Sequence, residues 1–236
     1  MVRRARRQAS GPLLVRNLTR SMRMHVDLHI MTLEAAPVDW ASHLGLVCPR
    51  YREKATTKAP EQTRMGEFAA GLLLASVLGV RADEQLSLGP EGKPELAAGS
   101  PHIGLSHDDA MAVLAVADGV VGVDVEEVPA QYGSLQRDAL RGVLSAERIE
   151  RVERAPDPAL SFALAWTRVE AVLKADGRGF AFDVRGGHLP AGWKTAYVLV
   201  NGHAVTCAMR EEPAIRVHRV GMCDAMALLG GEKTGR

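Results

Sequence analysis

At 236 residues, 47% of them hydrophobic and 24% charged, the chain has material for one large domain or two small ones around a substantial core. A formal net charge of +1 and an aromatic content of 4% argue against a nucleic-acid binder, which needs basic patches and stacking platforms. The three cysteines, Cys48, Cys207 and Cys223, form no Cys-x-x-Cys pair, so neither a zinc site nor a disulfide framework is expected, and a reducing, cytoplasmic compartment fits.

Along the chain, Arg3, Arg4, Arg6, Arg7, Arg16, Arg20 and Arg23 precede the first acid, Asp27. They lack both amphipathic spacing and a secretory apolar run. Residues 1–24 are therefore expected to be a basic, disordered extension, or a stretch ahead of a true start at Met22 or Met24. Val26, Leu28 and Ile30 alternate with His25, Asp27 and His29, the pattern of a half-buried strand. Pro60-Glu61 opens a helix with Met65, Phe68, Ala69, Leu72 and Leu73 on one stripe. The apolar stretch Ala69 to Val80 is too short to cross a bilayer, and no membrane role is expected. Gly89-Pro90-Glu91-Gly92-Lys93-Pro94 reads as a loop. Ala112–Ala117 and Val120–Val125, split by Asp118-Gly119, predict a hairpin.

Ser145-Ala146-Glu147 caps a helix, and Asp157-Pro158 begins another that runs to about Ala175 and stops at Gly177. Strands are expected at Phe182–Val184, Ala196–Val200, Ala204–Met209 and Ile215–Val220, with Asn201-Gly202 as a second hairpin turn. The order predicts an α+β fold of two halves with similar content, 25–120 and 121–236, joined near residue 120. No internal repeat marks a duplication.

Two motifs carry chemistry. In Gly122-Val123-Asp124-Val125-Glu126 a strand's period of two puts Asp124 and Glu126 on one face and the valines on the other. Adjacent carboxylates repel, and a divalent cation such as Mg²⁺, which joins acids to substrate phosphates, relieves that repulsion. A solvated strand end is the plain alternative. In the run from Trp166 to Lys174, the side chains Trp166, Glu170 and Lys174 share one helical stripe. Glu170 and Lys174 make either a surface ion pair or, on a helix whose other residues are apolar, ligands to a metal and a phosphate.

Together these motifs resemble the larger, surfactin-type group of 4′-phosphopantetheinyl transferases. That group carries a Gly-hydrophobic-Asp-hydrophobic-Glu strand and a Trp-x-x-x-Glu-Ala-x-x-Lys helix. Gly92-Lys93-Pro94 and Leu105-Ser106-His107 match two further signatures at suitable distance, so the resemblance spans roughly residues 50 to 220. It implies a pseudo-duplicated fold of two halves, each a small, mostly antiparallel sheet packed with helices, with the site at their junction in a monomer. It also implies transfer of the phosphopantetheine group of coenzyme A to a serine of an apo acyl or peptidyl carrier protein, with release of 3′,5′-ADP. Asp124, Glu126 and Glu170 would surround Mg²⁺, with Mn²⁺ as a substitute. Lys174 would meet the coenzyme A diphosphate, Ser106 and His107 its phosphates, and Lys93 another part of it. Glu170 would serve as general base or chiefly as metal ligand, and Glu147 would assist the metal or the proton transfer.

The chain departs from that pattern in two places. Val169 stands where the group often has a lysine, and Ala75 where it often has an arginine near the 3′-phosphate, with Lys58 and Arg64 as candidate replacements. Arg178, close behind the helix, would contact substrate or simply be solvated. The competing readings are a catalytically impaired binder of coenzyme A or carrier protein, and an unrelated Mg²⁺-dependent phosphohydrolase or nucleotidyl transferase.

Overall fold

A computed structural model describes residues 23–231 apart from 35, 38 and 90, and apart from the side chain of Phe180. Residues 1–22 of the arginine-rich extension, and Pro90 of the glycine–proline loop, lie outside the described residues. In chain order the elements are β1 (Arg23–Thr32), α1 (Pro49–Ala55), α2 (Glu61–Leu78), β2 (Leu86–Leu88), β3 (Pro94–Leu96), β4 (His102–His107), β5 (Met111–Ala117), β6 (Gly122–Glu127), α3 (Ser134–Arg141), α4 (Ala146–Glu153), α5 (Pro158–Asp176), β7 (Lys194–Val200), β8 (His203–Met209), β9 (Glu212–Arg219) and α6 (Met222–Gly231). The architecture is mixed α+β, as the element order predicts. Arg23 and Met24, placed above in the extension, already belong to β1. None of the described helices is long and apolar enough to cross a membrane.

Two sheets form the centre. One has the order β4-β5-β1-β9 and the other β6-β8-β7; β2 and β3 make a separate ribbon. All pairings are antiparallel except β1 with β9, which runs parallel and sets the last strand beside the first. The first sheet therefore takes three strands from before residue 120 and one from after it. Period two sorts the side chains into layers. Val26, Leu28 and Ile30 of β1, Val113 and Ala115 of β5, Val123 and Val125 of β6, and Val205 and Cys207 of β8 share one apolar cluster between the sheets. The outer face of the first sheet, with Met31, Ala112 and Leu114, packs on α2 and α6. The outer face of the second, with Ala204 and Ala208, packs on α5. The result is a helix–sheet–sheet–helix stack.

This stacking overturns the hairpin expected at Asp118-Gly119. β5 pairs with β1 and β4, and β6 pairs with β8. The two β-rich runs do not lie edge to edge. They face one another across the core, where their inward valines meet, and the turn carries the chain from one sheet to the other. The strand expected at Phe182–Val184 is also absent. Short 3₁₀ turns at Gly179–Ala181 and Arg185–Gly187 flank that segment, and Val184 within it is helical (φ −88°, ψ −5°), which an extended run excludes. The second hairpin holds: Asn201 (φ 50°) and Gly202 (φ 78°) turn β7 into β8. The helix stops hold too. Asp157 caps α5 by accepting from the Leu160 amide at 2.9 Å, Ser145 caps α4, and Gly177 ends α5 in the left-handed region at φ 82°.

Candidate active site

The site begins with a glycine. Gly122 opens β6 on the same face as Asp124 and Glu126. A Cβ there would lie 2.1 Å from the Ala171 carbonyl oxygen and 2.3 Å from the Ala175 amide nitrogen. The backbone of α5 thus rests directly on β6. A buried hydroxyl pair, Thr167 with Thr206 at 2.7 Å, fixes the helix to β8 at the next level. This close approach carries Glu170 and Lys174 to the acidic end of the strand.

Three elements meet there. Lys174 Nζ on α5 donates to Asp124 Oδ1 at 2.6 Å and to Ser106 Oγ at 2.9 Å. Ser106 on β4 donates to the same Asp124 oxygen at 2.9 Å. Asp124 is 5% exposed and Ser106 8%, so a buried carboxylate is capped by a half-exposed ammonium and a buried hydroxyl. Burial raises the pKa of Asp124, and attraction to Lys174 and the hydrogen bonds from Lys174 and Ser106 offset that only in part. Glu170 is raised by burial and then by Asp124, with Lys174 opposing. Glu126 is pushed up to about 7, first by burial and then by repulsion from Asp124, Asp108 and Glu170, with His203 pulling the other way. The three predicted acids therefore sense one another as an excess of negative charge.

That excess bears on a cation. The donors are all hard carboxylate oxygens, the set Mg²⁺ prefers, and their repulsion is what a dication would relieve. Among the described residues, no group of three His, Cys, Asp or Glu side chains is placed so as to hold a metal ion as it stands. The donor chemistry fits Mg²⁺, and Lys174 occupies the Asp124 oxygen in this arrangement.

Two clefts meet at Lys174. One, about 210 Å³, has walls from Lys93, Pro94, Gly104, Leu105, Leu173 and Lys174. The other, about 220 Å³, is lined by Tyr51, Lys54, Glu67, Ser106, His107 and Lys174. Ser106 and His107 point to opposite faces of β4, as neighbours on a strand must. Ser106 turns to Asp124, whereas His107 lies over Gly66 of α2 with Nε2 3.6 Å from Glu67 Oε1. A Cβ at position 66 would come 2.6 Å from His107 Nδ1, so glycine makes room for the ring. Lys93 borders its cleft, but Nζ is turned to the Val121 carbonyl at 3.1 Å, and burial lowers its pKa against the opposing charge of Glu95.

Other predicted residues fall elsewhere. Lys58 is exposed between α1 and α2, and Arg64 lies over the Trp40 ring at 6.0 Å; neither lines the two clefts. Glu147 makes an exposed pair with Arg151 one turn along α4. Arg178 pairs with Asp176 and sits over the Phe182 ring at 4.5 Å. Val169 is 1% exposed in an apolar cluster with Leu140 and Val143, and Ala75 is buried against the core, so a cation at either position would face hydrocarbon.

The sequence reading missed two features. Lys54 reaches both Glu67 oxygens at 3.1 Å from the short helix α1, a contact that no local spacing announces. Asp108 Oδ1 accepts from the Ala110 and Met111 amides at 2.9 and 2.8 Å, building the β4–β5 turn, while Oδ2 faces His203 Nε2 at 3.3 Å. Both of those facing atoms are buried and have no hydrogen-bond partner among the described residues, so they approach closely but outside hydrogen-bond geometry. The contact ties a turn of one sheet to a hairpin of the other, beside Glu126.

The arrangement is an acidic strand end, a lysine at the junction of two clefts, and a buried hydroxyl between them, which suits an anionic substrate held with a cation. Residues 120–216 match the family model described as the 4′-phosphopantetheinyl transferase superfamily, so a domain of that superfamily occupies these positions. The matched stretch includes Asp124, Glu126, Glu170 and Lys174; Lys93, Ser106 and His107 lie ahead of it. No curated protein matches the chain.

Proposed function

We propose that this protein is a surfactin-type 4′-phosphopantetheinyl transferase. In this reading it moves phosphopantetheine from coenzyme A to a serine of an acyl or peptidyl carrier protein, and 3′,5′-ADP leaves. The observation that carries the reading is the meeting of Ser106, Asp124 and Lys174 at the head of two clefts, with Asp124 and Lys174 inside the matched domain.

The roles follow from charge. Asp124, Glu126 and Glu170 would hold Mg²⁺ or Mn²⁺, which when bound supplies positive charge to the diphosphate. Lys174 would leave Asp124 for the diphosphate and stabilise charge that grows on the leaving phosphate. Ser106 holds the Asp124 carboxylate in place. Glu170, half-exposed and with a raised pKa, would take the proton of the attacking serine hydroxyl or act chiefly as a ligand. Lys93 and His107 would line the path of the nucleotide end. The two-halved organisation, a monomeric state and a cytoplasmic setting belong to the same proposal. Val169 gives no support to an impaired member, because its side chain points into the core and away from the clefts.

The test is the intact mass of an apo carrier protein after incubation with this protein, coenzyme A and Mg²⁺. The wild type should add one phosphopantetheine. Asp124→Ala should add none while keeping its far-ultraviolet circular dichroism. Full transfer by that variant would sink the assignment.

A further inference from the structure

The face of α5 turned away from Lys174 borders another cleft. Arg168 precedes Glu170 by two residues, about 200° around the helix. With Arg148, Val172, His188, Leu189 and Trp193 it lines a cavity of about 340 Å³, larger than either cleft at Lys174. No Asp or Glu is among its walls. Arg168 has no hydrogen bond, ion pair or ring partner among the described residues. Arg148 spends one N–H on the Gly187 carbonyl at 3.0 Å and keeps its remaining donors. Asp183, the acid that senses His188, is held by two Arg185 nitrogens at 2.9 Å each.

The loop that closes this cleft is shaped around guanidinium groups. Gly187 has φ 81°, and a Cβ there would lie 3.3 Å from Arg148 Nη1 and 3.1 Å from the Ser145 amide nitrogen. Gly192 has φ 84°, and a Cβ there would lie 2.7 Å from Arg210 Nη1. That arginine donates to the Ala191 carbonyl at 2.6 Å and stacks over Trp193 at 4.0 Å. The glycines thus let two cations lie against backbone and brace the loop, while Arg168 is left facing open space.

We propose that this cleft binds a phosphate monoester, with the phosphate between Arg148 and Arg168 near His188 and the organic part against Leu189 and Trp193. Donors arrive from α4, α5 and the loop. That spread suits the several oxygens of a tetrahedral phosphate, whereas one guanidinium fork satisfies a planar carboxylate. The proposal does not rest on the transferase reading, because the two sites lie on opposite faces of α5.

Amide NMR of the full chain, titrated with glucose 6-phosphate, inorganic phosphate and glucose, tests it. Glucose 6-phosphate should give saturable shifts at residues 187–193 and at Arg168, unchanged in Lys174→Ala. Arg168→Gln, at an exposed position that tolerates the change, should weaken binding about tenfold or more, the effect of losing one charged hydrogen bond. Absent or non-saturating shifts, equal binding by Arg168→Gln, or shifts abolished by Lys174→Ala would overturn the site. Inorganic phosphate binding as tightly as glucose 6-phosphate, or glucose binding equally well, would overturn the monoester assignment.

Discussion

Replacing Gly122 with alanine probes how the site is assembled. The added Cβ would stand 2.1 Å from the Ala171 oxygen, 2.3 Å from the Ala175 nitrogen and 2.8 Å from the Ala175 Cα. All three are backbone atoms of α5, so no side chain can rotate away. Restoring even the shortest tolerable contact, 3.0 Å, requires about 1 Å of separation between helix and strand. Overpacking of this kind costs about 1–3 kcal/mol. For a chain of this length that lowers the melting temperature by about 2–4 °C per kcal/mol. The same displacement draws Lys174 and Glu170 away from Asp124, and a misplacement of about 1 Å can cost roughly a hundredfold in rate. Carrier-protein transfer followed by intact mass, beside thermal unfolding, reads both effects. Gly45→Ala is the control, since a Cβ at that position meets nothing within 4 Å. Wild-type stability and wild-type transfer in Gly122→Ala would refute the idea that this contact sets the site.

Three further outcomes are expected. Glu126 has a folded pKa of about 7, above the ordinary carboxylate value of 4.5, so the folded state binds the proton more tightly than the unfolded one. In metal-free protein its contribution should therefore favour folding at low pH and fade as pH rises from about 4.5 through 7; Glu126→Gln should flatten that part of the stability–pH curve, and an unchanged curve would contradict the charge crowding. Thr167→Val should cost about 1–3 kcal/mol in denaturant unfolding by stranding the buried Thr206 hydroxyl, and adding Thr206→Val should recover much of it. Val169→Lys, which restores the residue common in the resembled group, should destabilise the protein by several kcal/mol without raising transfer, because the 1% exposed position offers the ammonium no partner; a stable, faster enzyme would show that the side chain reaches the cleft.

Much of the site was legible because it rests on two short-range periods. The strand period placed Asp124 and Glu126 together with the valines opposite, and the structure keeps that division. The helical period placed Trp166, Glu170 and Lys174 on one stripe, and all three are half-buried. Asp157, Ser145 and Gly177 announced their helix ends, since capping depends on the few residues beside it. Helix α6 lies beyond the expected strands of the tail, although its buried Met222, Ala225, Met226 and Leu229 have helical spacing.

Long-range packing decided the rest. Asp118-Gly119 has the composition of a hairpin turn, yet the strands it joins bury their valines against each other across two sheets, and local composition does not encode which edges pair. The same is true of the partnership between Lys174 and Asp124, fifty positions apart in sequence, and of the diversion of Lys93 to Val121 and His107 to Glu67. By itself the sequence determined the donors, their spacing and the resemblance they carry, for these depend on residue identity and backbone period. Only the tertiary structure decided which charges meet, because that depends on how closely a helix can approach a strand, and here the missing side chain of Gly122 sets that distance.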